Sequence, residues 1–400
     1  MSEIKIIYIT IQYLYLILMT LSAFWVAKAV STREYWRRSI VPIAIFSFVH
    51  GLRWARDQDY AGYYYHFSSM KDGNNPEEYE YIFFKICDIF NYIGLPFWLF
   101  ILFCSIIFIV AIMFLLKNFR FALPFVFFVM YYEVRGIDNL IRYYLGFAFY
   151  LFSIGYIIRG KIPKAFASIL IAVNIHIGFL LMLPFCFLYR YLNIKSIPKY
   201  YTSVAFIVLV FTGSAMFFSY FSDYVTIFSV LGSEKADSYV DNYDRLVNGE
   251  FGAGAYEGRN LTNNIRLVLA WLPGILWGKS ILNKYFNKNA TFIYNMYVIG
   301  CLSFSVCSLV EILDRLNACF TIFSIIVNGV MAYYVICDYD RNEKLVPLWG
   351  RCVVCLALFA NFWPILSLIP NRFKDEYMLF LWDSNGKGCI PSNVYPMTGK

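Results

Sequence analysis

Long runs of apolar residues, separated by short polar segments, recur along the whole chain. A run of about 18 or more apolar residues is long enough to cross a bilayer as a helix, so the pattern predicts a polytopic membrane protein. We therefore predict an all-α membrane protein with about 10 full spans. The predicted spans are residues 4–27, 39–55, 95–116, 121–134, 143–158, 202–220, 264–282, 291–310, 317–336 and 349–369.

Composition supports this class of protein. The 400-residue chain is 60% hydrophobic and 15% charged, whereas a soluble domain carries about 25% charged residues. The first run is too long for the core of a signal peptide and is predicted to be retained. The net charge of +8 does not indicate nucleic-acid binding, because the basic residues lie in short connectors. We predict one transmembrane domain over residues 1–369 and a tail over 370–400.

The basic connectors predict the orientation of the chain. Positive residues collect on the cytoplasmic side of membrane proteins, which places the connectors after spans 4–27, 95–116 and 143–158 in the cytoplasm. The N-terminus then lies outside, and so do the loops 56–80 and 221–263.

One apolar run, residues 165–189, is flanked on both sides by basic residues. A single crossing would invert every later loop. We therefore predict two half-length helices that meet near Asn174 and His176 and form a re-entrant hairpin, since irregular backbone at membrane depth needs surrounding protein or water. The alternative is that the short run 121–134 does not cross.

Several arginines and one histidine are predicted to reach the same outer boundary. Arg53 follows the second span, whereas Arg135 and Arg142 lie on one helical face, and His176 points to the same side. Arginine suits phosphate because its planar fork binds two phosphate oxygens. The simpler interpretations stay open: Arg53 as an interfacial anchor, the pair Glu311–Arg315 as structural, and His176, like His50, as a core histidine.

Four short motifs resemble those of a known family, in the same order and over most of residues 50–335. The chain is similar to the EpsG-type branch of the Wzy polysaccharide polymerases. The matching stretches are "RWARDQDYAGY" from Arg53 with Glu78 and Tyr81 downstream, "IRYYLGFAF" with Arg142, "AVNIHIGFLLMLP" with His176, and "EILDRLNACF" with Arg315. The chain has Asp57 where the family often has glycine, Tyr143 for a glutamine and Gly178 for a serine.

The D-x-D spacing of Asp57 and Asp59 raises the question of a metal site. Asp59 matches the family element and Asp57 departs from it, so we interpret the spacing as accidental and expect no metal and no other cofactor.

The resemblance implies a GT-C-like transferase that joins undecaprenyl-pyrophosphate-linked repeat units at the outer, periplasmic face of the bacterial inner membrane, by inverting, metal-independent glycosyl transfer into O-antigen, capsule or exopolysaccharide. In that reaction we expect His176 to be the base, with Asp59 in reserve. We expect pyrophosphate contacts from Arg142, Arg315, Arg53 and Arg135, and support from Glu311 and Glu78. Expected partners are the lipid-linked oligosaccharides, the bilayer, and a chain-length regulator, flippase and ligase of the same pathway. The alternatives are a lipid-linked oligosaccharide flippase and an O-antigen ligase.

Overall fold

The computed structural model describes residues 3–54, 58–70, 80–134, 137–212, 260–286, 288–307, 311–340, 342, 345–372 and 379–380. Within these ranges the chain is helical apart from turns and one short ladder, so the all-α prediction is confirmed. The ladder pairs two-residue strands, β1 (Arg53–Trp54) and β2 (Leu379–Phe380), in antiparallel register.

Contacts divide the chain into two compact units. The first unit holds Met1–Tyr189 with Trp363–Lys400, and the second holds Arg190–Phe362. The single transmembrane domain over residues 1–369 stays a prediction.

In the first half of the chain, the described residues form nine α-helices. Two short 3-10 segments, Lys117–Ala122 and Ile177–Met182, join α5 to α6 and α8 to α9. The helices are α1 (Glu3–Ala27), α2 (Thr32–Gly51), α3 (Gln58–Ser69), α4 (Tyr81–Tyr92), α5 (Phe97–Leu116), α6 (Leu123–Glu133), α7 (Ile141–Ile158), α8 (Ile162–Ile175) and α9 (Leu183–Leu192).

One end of the first unit gathers the end of α1, the start of α2 and the ends of α5 and α7. Arg38 Nη1 donates to a carbonyl in the last turn of α1 at 2.6 Å. The Tyr35 hydroxyl donates to the carbonyl of Met113 at 2.6 Å, and Arg159 Nη2 donates to the carbonyl of Phe114 at 2.5 Å. We call this the Arg159 end.

The opposite end, which we call the Arg53 end, gathers the end of α2, the end of α6 and the start of α7. The Tyr15 ring of α1 lies 5.4 Å from the ring of His50 and 5.8 Å from the ring of Tyr131 in α6. Helix α5 ends at the Arg159 end, and α6 runs from there back to the Arg53 end. The chain reverses in the 3-10 segment between them, where Phe119 has the non-helical angles φ −109° and ψ 19°. With 11 residues, α6 is about 16 Å long.

The predicted break at His176 is present, and the chain reverses there. Helix α8 returns along α7 from the Arg159 end, since only the turn 159–161 separates the two helices. After His176 the chain runs back beside α7, where Phe179 stacks on Phe147 and Ser153 Oγ lies 3.4 Å from Cys186 Sγ. Each arm is shorter than the roughly 30 Å of a bilayer core, which is the geometry of a hairpin and not of a single span.

The second half of the chain contains α10 (Lys199–Thr212), α11 (Leu261–Tyr285), α12 (Ala290–Cys307), α13 (Glu311–Thr321), α14 (Phe323–Cys337) and α15 (Leu348–Arg372). Helices α11 and α12 are antiparallel neighbours, because the hydroxyl of Tyr294 donates to the carbonyl of Ile275 at 2.8 Å and that of Tyr297 to Trp271 at 2.6 Å. Helices α12 and α13 approach closely, since a Cβ on Gly300 would lie 2.8 Å from the backbone of Phe320.

Among the described residues, six helical stretches are long and apolar enough to cross a membrane. They are Ile9–Ala27, Phe97–Tyr131, Ile141–Ile158, Leu261–Tyr285, Asp314–Cys337 and Leu348–Leu366. The second stretch includes both α5 and α6, and the fifth includes parts of both α13 and α14. The chain is therefore a membrane protein of several apolar helices, and the larger count of about 10 spans stays a prediction.

Candidate functional site

Arg53 lies just after α2 in a sealed position at the Arg53 end. Its side chain is 2% exposed, and its guanidinium donates to the carbonyls of His50 and, at 3.3 Å, of Ile137. Its Nη1 also lies 3.7 Å from Asp138 Oδ1. A charge this deeply buried needs such partners, because removing it from water is otherwise costly.

Asp138 connects Arg53 to a buried histidine. Its Oδ1 lies 2.8 Å from His50 Nδ1, and both side chains are buried. Together these three residues form what we call the sealed cluster. His50 was interpreted from the sequence as a core histidine, which agrees with its burial, whereas its partner Asp138 was not predicted. Asp138 precedes α7 by only three residues, so the cluster also sets where that helix begins.

Arg142, the second residue of α7, has a different environment. Its Nη1 lies 2.8 Å from Glu80 Oε2, and the two side chains are 15% and 20% exposed. The other carboxylate oxygen, Oε1, accepts a hydrogen bond from the backbone N–H of Ile177 at 3.0 Å. We call this arrangement the Glu80 bridge. It joins the segment before α4, the start of α7 and the turn that contains His176.

The position of Glu80 follows from the packing of α4. Phe83 and Cys87, one helical turn apart, are buried against α5, where Phe83 contacts Phe100 with ring centroids 5.8 Å apart. Tyr63 of α3 packs on Phe83 from another side at 6.0 Å. Glu80 immediately precedes this anchored helix, so its backbone is held in place.

His176 occupies the turn between α8 and the following 3-10 segment, with extended backbone (φ −152°, ψ 113°). Its Nδ1 accepts a hydrogen bond from the backbone N–H of Gly178 at 3.1 Å. This bond assigns the proton of the neutral ring to Nε2. The ring is half-buried and meets the Tyr143 ring edge-on at 5.7 Å.

A close approach between α7 and the hairpin holds this turn in place. Phe179 is buried and stacks on Tyr143 and Tyr150, with centroids 5.4 and 6.1 Å away. A Cβ on Gly146 would lie 2.7 Å from the Phe179 ring. The small residue that follows Arg142 in the sequence motif is therefore required by contact with the hairpin.

Arg315 belongs to the second unit. It is half-buried on α13, two residues before Asn317, whose Oδ1 accepts a hydrogen bond from Ser303 on α12. This contact and the close approach at Gly300 fix the position of α13, and hence of the Arg315 backbone.

Several predicted site residues are not among the residues that the structure describes. Arg135, Glu78, Asp57 and the loop 221–263 fall outside the described residues, as do the side chains of Asp59 and Glu311. Within the described part of the chain, no group of three histidine, cysteine or acidic side chains is placed to hold a metal ion.

Two acidic residues of the site, Glu80 and Asp138, were not predicted from the sequence. The supporting role predicted for Glu78, which lies outside the described residues, stays a prediction. Glu80 could have been identified from its place directly before an amphipathic run, where an anchored helix begins. Asp138 lies between Arg135 and Arg142 in the sequence, with no local signal that pairs it with Arg53 or His50.

A model described as the EpsG family matches residues 38–373, which covers most of the chain. That family includes Wzy-type polymerases. No curated protein and no solved structure matches the chain.

Proposed function

Because the chain belongs to the EpsG family, we propose that it is a polymerase that joins undecaprenyl-pyrophosphate-linked oligosaccharide repeat units into O-antigen or a related surface polysaccharide. One observation carries the proposal to particular residues: Arg142, Glu80 and the His176 turn, from three separate segments, meet at one end of the first unit. This is a charged and partly open constellation in an otherwise apolar membrane protein, where ionisable groups indicate function.

The proposed reaction transfers a growing glycan from its lipid diphosphate to a hydroxyl of the next lipid-linked repeat. The bond between the anomeric carbon and the diphosphate oxygen breaks with its electrons leaving on the diphosphate. The acceptor oxygen attacks from the opposite face, inverts the centre and loses its proton. Diphosphate is already a good leaving group, so the protein must stabilise the developing charge and orient two lipid-bound substrates.

Arg142 is the proposed diphosphate contact in the first unit, because its guanidinium lies at the partly open position beside the His176 turn. Arg315 is the proposed second contact, with Arg135 in reserve. Arg53 was expected to share this role, but its burial against Asp138 and two backbone carbonyls favours a supporting one. A cavity of about 10 Å³ beside Arg53 has room for about one water molecule and none for a diphosphate. Glu311 stays a proposed support for Arg315.

The distribution of charge supports a periplasmic site. Basic side chains collect at the Arg159 end, with Arg38 and Arg159 bonded there and Lys117, Arg120 and Lys161 in the adjoining turns. By the positive-inside rule that end faces the cytoplasm, and the Arg53 end, with the Glu80 bridge, faces out. The hairpin of α8 and α9 is then re-entrant from the cytoplasmic side.

His176 is the proposed base, with Asp59 in reserve. In the tautomer that the Gly178 bond implies, Nδ1 accepts and the ring presents an N–H at Nε2. To take the acceptor proton at Nδ1, His176 must first release this bond. If the bond persists, the ring instead donates from Nε2 to an anionic oxygen, and a carboxylate such as Asp59 takes the proton.

Substitutions of His176 separate these two roles. The amide nitrogen of glutamine reaches the position of Nε2, whereas asparagine reaches only that of Nδ1. A base role predicts that His176→Gln, His176→Asn and His176→Ala all lose polymerisation, by about 10²-fold or more. A donor role predicts that His176→Gln alone stays within about tenfold of wild type, because its side-chain amide can still donate from the position of Nε2, whereas loss of a donor to a developing anion costs about 10²- to 10³-fold. Near-normal polymerisation by His176→Ala would exclude both roles.

Deletion of the gene in its bacterial host, followed by gel analysis of the surface glycolipid, tests the function itself. Collapse of the ladder to a single repeat on the lipid core is the expected result, because export and ligation would survive. Loss of the single-repeat band as well would identify a flippase or a ligase instead. The proposed partners are the chain-length regulator, flippase and ligase of the same pathway.

A further inference from the structure

Glu80 is the residue on which three segments of the proposed site converge. Its Oε2 lies 2.8 Å from Arg142 Nη1, across 62 positions of sequence, and its Oε1 accepts from Ile177 N at 3.0 Å, across 97 positions. Both oxygens of one carboxylate are therefore bonded, each to a different part of the site.

The two bonds constrain two different groups. An arginine side chain has many rotamers, and a charge-assisted bond to a fixed carboxylate selects among them. The bond to Ile177 restrains the backbone directly after His176. The next backbone N–H, that of Gly178, donates to His176 Nδ1 and restrains the ring. Glu80 therefore fixes the imidazole of His176 and the guanidinium of Arg142 relative to each other. Glu80 is itself held in place because it directly precedes the anchored first turn of α4.

We propose that Glu80 is a positioning residue of the transfer reaction, which holds Arg142 and the His176 turn in the arrangement that engages the lipid diphosphate. This inference rests on the proposed function. Misplacement of a catalytic group by about 1 Å can lower a rate about 10²-fold, and Glu80 restricts that movement for two groups at once.

Glu80→Gln separates the two bonds. The amide oxygen still accepts from Ile177 N, whereas the charged bond to Arg142 is lost. The expected result is a fall in kcat of about 10- to 100-fold with little change in KM, measured on purified protein in lipid nanodiscs with the lipid-linked repeat units that accumulate in the deletion strain. Amount of folded protein and Tm are expected to match wild type.

Asp88→Asn on the same helix is the matched control. It removes the exposed pair between Lys85 and Asp88, in which Nζ and Oδ2 are 3.3 Å apart, away from the bridge. Exposed pairs of this kind contribute little, so this variant is expected to keep wild-type kcat. An equal loss of kcat in both variants would overturn the inference.

Two further variants exclude simpler explanations. Glu80→Asp keeps the charge but is one methylene too short to reach both partners, so it is expected to stay defective. Wild-type kcat in Glu80→Asp would show that charge balance alone is needed and would overturn the positioning role. In an Arg142→Ala background, Glu80→Gln is expected to lower kcat by less than about threefold more, since coupled residues are not additive.

Fully multiplicative losses in that double variant would contradict the inference, because Glu80 would then act independently of Arg142. So would wild-type kcat in Glu80→Gln, or a loss of activity that follows the amount of folded protein alone. The proposed function fails differently: wild-type protein would then form no polymer from the same lipid-linked repeats.

Discussion

Two arginines at the same end of the first unit have acquired different environments. In the sealed cluster, Arg53 and Asp138 are each 2% exposed, and their charges are met by one another, His50 and backbone carbonyls. In the Glu80 bridge, Arg142 and Glu80 are 15% and 20% exposed. Both arginines were predicted to bind phosphate. Arg53 instead forms buried contacts within the protein, whereas Arg142 is a candidate ligand-binding group.

An arginine that the sequence predicts at the outer boundary is therefore not always placed to contact a ligand. Arg53 follows α2 at a point where the segment before α7 bonds to it and α5 and α7 line the small cavity beside it, so it cannot reach a substrate without breaking buried bonds. Arg142 enters α7 beside a turn of the chain, and its acidic partner comes from a segment near the surface. The degree of burial, and not the sequence motif, distinguishes Arg53 from Arg142.

The largest expected effect comes from breaking the sealed cluster. Asp138→Ala leaves Arg53 buried without its carboxylate, and uncompensated buried charge costs about 3–5 kcal/mol. We expect most of the folded protein to be lost, as measured by fluorescence-detected size-exclusion chromatography in detergent and by Tm. Asp138→Asn, which keeps an acceptor for His50, is expected to lose less. Wild-type stability in Asp138→Ala would show that the cluster does not hold this end together.

Lysine substitutions at the two arginines sharpen the contrast. Arg142→Lys keeps a charge but loses the planar fork, so polymerisation is expected to fall at least about tenfold, with Tm close to wild type. Arg53→Lys loses the bonds to two buried carbonyls, so Tm is expected to fall, and activity per folded molecule is expected to stay near normal. Full polymerisation by Arg142→Lys would reduce Arg142 to a membrane anchor, and the contrast between the two regions would disappear.

The smallest expected effect comes from the contact that supports the bridge indirectly. Gly146→Ala places a methyl group 2.7 Å from the Phe179 ring, and the hairpin must move to accept it. Overpacking of this kind costs about 1–3 kcal/mol, and we expect a moderate loss of both Tm and polymerisation.

Gly62→Ala is the control for that change. A Cβ at Gly62 meets no atom within 4 Å, and alanine is favoured over glycine inside a helix. It is expected to match or slightly exceed wild-type stability. Equal behaviour of the two alanine variants would mean that the approach of α7 to the hairpin does not matter for activity.

The positions of about 10 spans stay a prediction. Local sequence was enough to predict the class of protein and the break at His176. Each of these is a local property: apolar length is set by bilayer thickness, and the break is recognised by basic residues on both sides of one run. The meeting of Arg142 with the His176 segment was also predicted in outline, because orientation by charge sends both to one side.

The burial of Arg53, its contact with Asp138 and the contact of Arg142 with Glu80 come from tertiary packing. The partners of Glu80 and of His50 lie 62, 97 and 88 positions away, so neither helical period nor charge pattern identifies them. Glu80 lies directly before the anchored α4, and this packing places its carboxylate against Arg142. A buried or half-buried charge is retained only where the fold brings its partner within bonding distance.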